Sequence, residues 1–307
     1  LKKDLLTLDE LSPAEIETIL DGAGELKKKQ KAGVEHQLLA GKSIALIFEK
    51  SSTRTRISFE VGIFQLGAYP VYLSTRDMQL SRGETIEDTA RVLSRYVDAV
   101  IVRTFAQADV ERIAGVSTVP VVNALTDEHH PCQALSDLFT IREKKGGFLG
   151  LKLAYLGDGN NVCHSLLLAA AKVGLNIWVA SPEDFSPREV VVKRAKEIGL
   201  ETGSKIVVTN NPVEAAKNVD ILYTDVWVSM GNEAERKARL EVFRPYQINR
   251  ELVSHAKENA LIMHCLPAHR GEEITDEVID GANSVVFEQA ENRLHAQKAL
   301  LVHMLER

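Results

Sequence analysis

Strand and helix signals alternate along almost the whole chain. Apolar runs at residues 44–48, 69–73, 98–103 and 119–122 read as strands. Helical patterns separate them: Ile57, Phe59, Ile63 and Leu66, then Ile86, Ala90 and Leu93, then residues 109–114. Another helix opens at His130-Pro131 and runs through Ile141. This alternation points to parallel βαβ units, because neighbouring parallel strands need a crossover and a helix is the usual one. Lys144-Lys145-Gly146-Gly147 interrupts the pattern and marks a linker. A second series follows, with strands at 152–156, 176–180, 205–209, 220–224 and 261–264 and helices after Asn161 and Pro187. Residues 284–287 and a helix over 288–305 close the chain. A polar stretch, 225–244, reads as a long loop of the kind that often binds or covers a ligand.

The expected fold class is therefore α/β, with two domains, each a mainly parallel β-sheet flanked by helices, joined by interdomain helices. The first spans 1–145 and the second 146–287. A length of 307 residues suits two domains. Before the first strand, Ser12-Pro13-Ala14-Glu15 is a capping box with proline at the first helical position.

The totals exclude several function classes. A net charge of −6 argues against nucleic acid as a partner. No apolar run approaches the roughly 18 residues of a membrane span. Leu1-Lys2-Lys3-Asp4 runs straight into helical pattern, so no signal peptide is expected. Cys132, Cys163 and Cys265 are odd in number and far apart, which suggests reduced thiols and a cytoplasmic location.

Chemistry concentrates at strand ends. After the first strand comes Lys50-Ser51-Ser52-Thr53-Arg54-Thr55-Arg56. It reads as a polar turn and a helix N-terminus, where unpaired N–H groups and the helix dipole favour an anion. Hydroxyls and two arginines at the same spot suit a phosphate; an ordinary N-cap with solvated arginines is the alternative. Gly41-Lys42-Ser43 imitates the end of a P-loop, but His36 holds the earlier glycine position and a strand follows.

His130 stands before a proline at a helix start, and Gln133 lies one turn on. A neutral imidazole there can polarise a carbonyl, although a single histidine is often structural. Gly157-Asp158-Gly159-Asn160-Asn161 resembles the start of a dinucleotide fingerprint but lacks its third glycine. A ligand-binding turn is the better functional reading, and a plain glycine turn the bland one. Asp225 also sits at a strand end, where it serves either a ligand or a helix cap. Cys265, in His264-Cys265-Leu266-Pro267, is open to three roles: nucleophile, metal ligand or polar contact. Metal is disfavoured because no second Cys/His cluster completes a ligand set. Most of the charged helix after Phe287 should face solvent.

Together these blocks resemble the aspartate/ornithine carbamoyltransferase family, its ornithine branch closely. Ser52-Thr53-Arg54-Thr55-Arg56 looks like the family's carbamoyl-phosphate motif, and His130-Pro131-Cys132-Gln133 like its second anion and carbonyl motif. Asp225 with Ser229-Met230-Gly231, and His264-Cys265-Leu266-Pro267, resemble the ornithine-specific elements. The likeness runs over nearly the whole chain in the right order.

The resemblance implies transfer of a carbamoyl group from carbamoyl phosphate to the δ-amine of L-ornithine, giving citrulline and phosphate, for arginine biosynthesis or, as the alternative, in the catabolic ornithine enzyme. Putrescine, acetylated ornithine and aspartate are the rival acceptors. It places Arg54, Thr55, Arg103, His130 and Cys265 in catalysis. Carbamoyl phosphate would be held by Ser52, Thr53, Arg54, Thr55, Arg103, His130, Gln133, Cys265, Leu266 and Arg293. Asn161, Asp225, Ser229 and Met230 would hold ornithine. The resemblance also implies a homotrimer or a higher assembly of trimers, and Gln79 matches a glutamine that reaches a neighbouring subunit's site. The terminal helix, 288–307, would return to the first domain. No cofactor or metal is expected, since the phosphate anhydride already activates the carbonyl.

Overall fold

The computed structural model of the protein describes residues 3–79, 83–228 and 236–306. Ser229 and Met230 lie outside them. The chain divides into two compact units, one running to Phe139 and resumed from Glu291, the other Thr140–Ala290.

The first unit opens with helix α1 (Pro13–Lys31). The Glu15 N–H donates to Ser12 Oγ at 3.3 Å, and the Ser12 N–H donates to the Glu15 carboxylate at 2.9 Å. Its parallel sheet comprises β1 (Ser43–Phe48), β2 (Tyr69–Ser74), β3 (Ala99–Arg103) and β4 (Val121–Leu125), in the order β2-β1-β3-β4. Residues 44–48 and 99–102 are apolar and buried on both faces, which is why these strands read as unbroken apolar runs. Strand β4 begins later than its apolar run suggests. Pro120 has no N–H for the ladder, and its carbonyl instead accepts from Val100 N at 2.9 Å. The flanking helices are α2 (Arg54–Gln65), α3 (Ile86–Leu93), α4 (Gln107–Val116) and α5 (Pro131–Lys145).

Helix α5 runs through Lys144 and Lys145, where a linker was expected. Basic side chains in a last turn are favoured by the helix dipole. The turn comes at Gly146, with φ +81°.

The second unit has a parallel sheet of β5 (Lys152–Leu156), β6 (Asn176–Ala180), β7 (Ile206–Thr209), β8 (Ile221–Thr224) and β9 (Leu261–His264). Their order is β7-β6-β5-β8-β9. Its longer helices are α6 (Asn161–Lys172) and α7 (Glu189–Thr202), and α8 (Pro212–Ala216) is a short one. The polar stretch after Asp225 contains a helix, α9 (Arg236–Phe243), that its composition hid. The buried positions of α9 are Arg239 and Phe243, one turn apart, so an arginine replaces an apolar signal. Short helices α10 (Arg250–Val253) and α11 (Asp276–Ile279) follow. The terminal helix α12 (Val286–Leu305) starts inside the apolar segment 284–287. Ser284 makes only a single bridge to Ile262.

Strand order decides where ligands can bind. In each sheet the first strand has neighbours on both sides, so the chain winds outward in two directions from it. The switch points are β1/β3 and β5/β8, and open α/β sheets bind ligands at the carboxyl ends of such strands. The phosphate-type motif follows β1, Arg103 ends β3, the glycine turn follows β5, and Asp225 follows β8. Among the described residues no helix is long and apolar enough to cross a membrane.

Candidate active site

In the first unit the functional groups converge on Thr55. The register pairs Phe48 with Arg103, so the turn after β1 lies beside the end of β3. Thr53 makes no side-chain cap of α2; Ser52 Oγ accepts from the Thr55 N–H at 3.2 Å instead. The first turn of α2 holds no acidic residue but does hold Arg54 and Arg56. Cations at a helix N-terminus oppose its dipole, so this helix is built against its own stability. Arg56 itself turns away, pairing with Glu60 at 3.0 Å and lying 3.5 Å over the Tyr72 ring.

Two buried guanidiniums meet at the Thr55 hydroxyl. Arg103 Nη1 donates to Oγ1 at 3.3 Å and Arg293 Nη2 donates to it at 2.6 Å. Burial, then the charges of Arg293 and Arg54, pull Arg103 down to about 10. It remains a cation at neutral pH, but one held among like charges. His130 is buried beside this group. Desolvation, then Arg293 and Arg103, hold its pKa well below the usual imidazole value, so the ring is neutral at pH 7. Arg103 Nε and Gln133 Oε1 are buried without a hydrogen-bond partner among the described residues. Gln133 Nε2 donates to Asp137 at 2.8 Å. Two guanidiniums on one hydroxyl, with the charge of Arg54 also felt at Arg103, concentrate positive charge in a way that suits an anion.

In the second unit the functional groups converge on Asp225. Only glycine fits at 159, where an added Cβ would lie 2.2 Å from Pro187 N. This close approach sets the turn that presents Asn160 as the cap of α6. Asn160 Oδ1 accepts from Val162 N at 3.0 Å, Cys163 N at 3.1 Å and the Tyr155 hydroxyl at 3.2 Å. Its Nδ2 donates to Asp225 Oδ2 at 2.8 Å. Asp225 Oδ1 accepts from Val226 N at 2.8 Å and from the Cys265 thiol at 2.9 Å. The carboxylate is thus buried and positioned by neutral donors, and no cation pairs with it among the described residues. That arrangement suits a ligand ammonium.

Asp225, His264 and Cys265 place potential metal donors within 4.8 Å of one another. Hydrogen bonds already engage these atoms. His264 Nδ1 accepts from Leu266 N at 2.9 Å, and its Nε2–H faces Glu273 Oε1 at 3.0 Å. Leu266 has a positive φ of 57° and precedes Pro267 through a cis bond.

The remaining expected residues are placed as follows. Asn161 is the first residue of α6, and its carbonyl accepts from Ser165 Oγ at 2.9 Å. Gln79 is exposed, and its carbonyl accepts from Glu84 N. Sequence reading passed over Asn160, although a polar residue before an apolar helical run is a cap signal. It also passed over Arg239, which no local signal marks. Arg239 donates to Trp227 O at 2.7 Å, pairs with Asp158 and lies 4.5 Å over Phe185.

Burial, with Asp225 assisting and Arg239 opposing, raises Asp158 to about 6 from 3.8. The folded chain therefore binds the extra proton between those values. Its stabilising share is full below 3.8 and is lost as pH rises through about 6. Urea unfolding of the wild type and Asp158→Asn should show the wild type losing ground to the variant as pH rises across that window. A difference that is constant with pH would contradict this.

Comparison with known proteins decides the family. Residues 3–143 match the family model for the aspartate/ornithine carbamoyltransferase carbamoyl-P binding domain. Residues 149–304 match the model for the Asp/Orn binding domain. The chain belongs to the aspartate/ornithine carbamoyltransferase family. It is 59% identical to the ornithine carbamoyltransferase of Anoxybacillus flavithermus, covering 99% of this chain and 96% of that one. Identity to the ornithine carbamoyltransferase of Pyrococcus horikoshii is 55%, with the same coverage of 99% and 96%. The solved ornithine carbamoyltransferase from Pyrococcus furiosus superposes with a TM-score of 0.97 at 54% identity, covering 99% of this chain and 97% of that one. Within the carbamoyltransferase frame, the Thr55 group falls in the carbamoyl-P match and the Asp225 group in the Asp/Orn match. Arg293 lies in the span of the second match, yet its contact is with Thr55 of the first.

Proposed function

We propose that this carbamoyltransferase moves the carbamoyl group of carbamoyl phosphate to the δ-amine of L-ornithine, releasing L-citrulline and phosphate. The observation that carries this is the meeting of two buried guanidiniums, Arg103 and Arg293, at the Thr55 hydroxyl, with the charge of Arg54 felt at Arg103 and a neutral His130 beside them. In this reading Ser52, Thr53, Arg54, Thr55 and Arg103 grip the phosphate. His130, Gln133 and Arg293 act on the carbamoyl group, and the family likeness assigns the backbone at Cys265 and Leu266 to the same substrate. Donors on its carbonyl oxygen stabilise the charge that develops during attack.

The attacking amine must be neutral, while an alkylammonium has a pKa of roughly 10.4. Nearby guanidiniums disfavour the ammonium and so select the reactive form. The nitrogen lone pair bonds to the carbonyl carbon, the carbon–oxygen bond to phosphate breaks, and the nitrogen's proton leaves with the phosphate. Asp225 takes the α-ammonium, with Asn161, Ser229 and Met230 completing the amino-acid site. This carboxylate favours ornithine over acceptors that lack a free ammonium, such as acetylornithine, and over aspartate, whose second carboxylate it repels.

The same reading assigns a homotrimer or an assembly of trimers, with Gln79 serving a neighbouring copy. An apolar stripe on α2 supports association: Ile57, Val61 and Phe64, at helical spacing, are 53%, 38% and 74% exposed. Three buried free thiols fit a cytoplasmic enzyme, which we place in arginine biosynthesis. The test is carbamoyl transfer from carbamoyl phosphate to ornithine, putrescine, acetylornithine and aspartate in parallel. Ornithine should exceed each rival by at least about 100-fold in kcat/KM. A preference for another acceptor would overturn the assignment.

A further inference from the structure

Helix α12 carries a lysine, Lys298, that the chemistry above does not use. Its side chain is completely buried. The ammonium donates to Gln30 Oε1 at 2.7 Å and to Gln65 Oε1 at 2.8 Å, and lies 3.0 Å from His36 Nε2. His36 Nδ1 sits 2.9 Å from the Val34 carbonyl, so Nδ1 carries the proton and Nε2 accepts from the lysine. These three partners are neutral. They come from the end of α1, the connection after it and the last residue of α2. A buried ammonium without a carboxylate is a poor source of stability, and burial lowers its pKa to about 8. Its geometry nevertheless joins three elements at one point.

The stem of Lys298 is also a packing element. A Cβ at Gly62, in the middle of α2, would lie 3.1 Å from Lys298 Cγ and 3.3 Å from Leu294 Cδ1. Helices α2 and α12 therefore touch at a glycine, which fixes their spacing tightly. Five residues before Lys298 on the same helix, Arg293 reaches Thr55 at the opposite end of α2. Gln65 at one end of α2 and Thr55 at the other are thus both bound by α12. A shift of α12 along or away from α2 moves the Arg293 guanidinium from the Thr55 hydroxyl. Lys27 of α1 adds a second tie to the same helix, donating to Asn292 Oδ1 at 2.7 Å.

We infer that Lys298 is a positioning residue for the anion site: by pinning α12 to the end of α2 against Gly62, it sets Arg293 on Thr55. This inference rests on the reading of the Thr55 group as a phosphate site. It assigns substrate affinity to a residue about one and a half helical turns from Arg293 along α12, through register and not through contact.

The test uses the full chain and inorganic phosphate as the probe, with calorimetric Kd alongside KM for each substrate. Lys298→Met keeps the stem and removes the three hydrogen bonds. Phosphate Kd and the KM for carbamoyl phosphate should rise about tenfold, while the KM for ornithine at saturating carbamoyl phosphate stays within about twofold. Gly62→Ala, which keeps the lysine but crowds its stem and Leu294 so that they must shift, should produce the same split, and it remains informative if the lysine variant fails to fold. In an Arg293→Met background Lys298→Met should add almost nothing, as expected for two residues acting through one contact. Unchanged phosphate affinity in both single variants, with only a lowered Tm, would overturn the inference and reduce Lys298 to a stabilising role. If the wild type itself fails to bind phosphate, the anion-site reading falls and takes the inference with it.

Discussion

Arg103→Met should reduce kcat by about 1,000-fold and leave the protein at least as stable as the wild type. The two halves of that expectation have one cause. Arg103 is buried among Arg293 and Arg54, and its lowered pKa records desolvation first and repulsion second. The folded protein holds this charge at a cost, offset only by one long hydrogen bond to Thr55 at 3.3 Å. Removing it relieves the repulsion while a methionine refills the space. In the proposed reaction the same removal takes away a donor to the phosphate and carbonyl oxygens, an interaction that strengthens as charge develops. Kinetics and urea unfolding on one preparation check both. Activity within about tenfold of wild type would dismiss the catalytic role, and a large loss of stability would make Arg103 a structural residue.

The second large effect belongs to Asp225→Asn. It should raise the KM for ornithine by about 100-fold and leave the KM for carbamoyl phosphate almost unchanged. Asp225 is held by Asn160, Val226 and Cys265, all neutral donors, so the substitution removes the charge and keeps most of the shape. An ammonium ligand loses its buried counter-charge, while the phosphate site in the other unit loses nothing. Equal losses for both substrates would show that Asp225 serves the fold and not the amine.

Much of this architecture was legible because parallel strands buried on both faces leave apolar runs that polar helices separate. Strands β1, β5 and β6 begin and end within about a residue of their sequence signals for that reason. What stayed hidden are polar side chains whose partners are distant in sequence. Arg239 occupies a core position of α9, so the helix reads as a polar loop until Asp158, 81 residues earlier, is seen beside it. Asn160 announces a helix cap, but its hold on Asp225 depends on the adjacency of β5 and β8. Arg293 was named through family likeness, and the charged helix after Phe287 does not mostly face solvent as expected: Gln289, Asn292, Arg293, His295, Gln297 and Lys298 are all buried. Periodicity alone cannot announce polar side chains whose partners are distant in sequence. Lys298 raises the same difficulty, being a charged residue with no sequence sign that it is buried.

In the proposed reaction the cation group around Thr55 serves one substrate and the carboxylate of Asp225 the other. The direct measurement follows citrulline and phosphate together in a single time course, with carbamoyl phosphate supplied and ornithine added or withheld. The account predicts equal amounts of both products, each dependent on ornithine. Phosphate release without citrulline, or no release when both substrates are present, would contradict it.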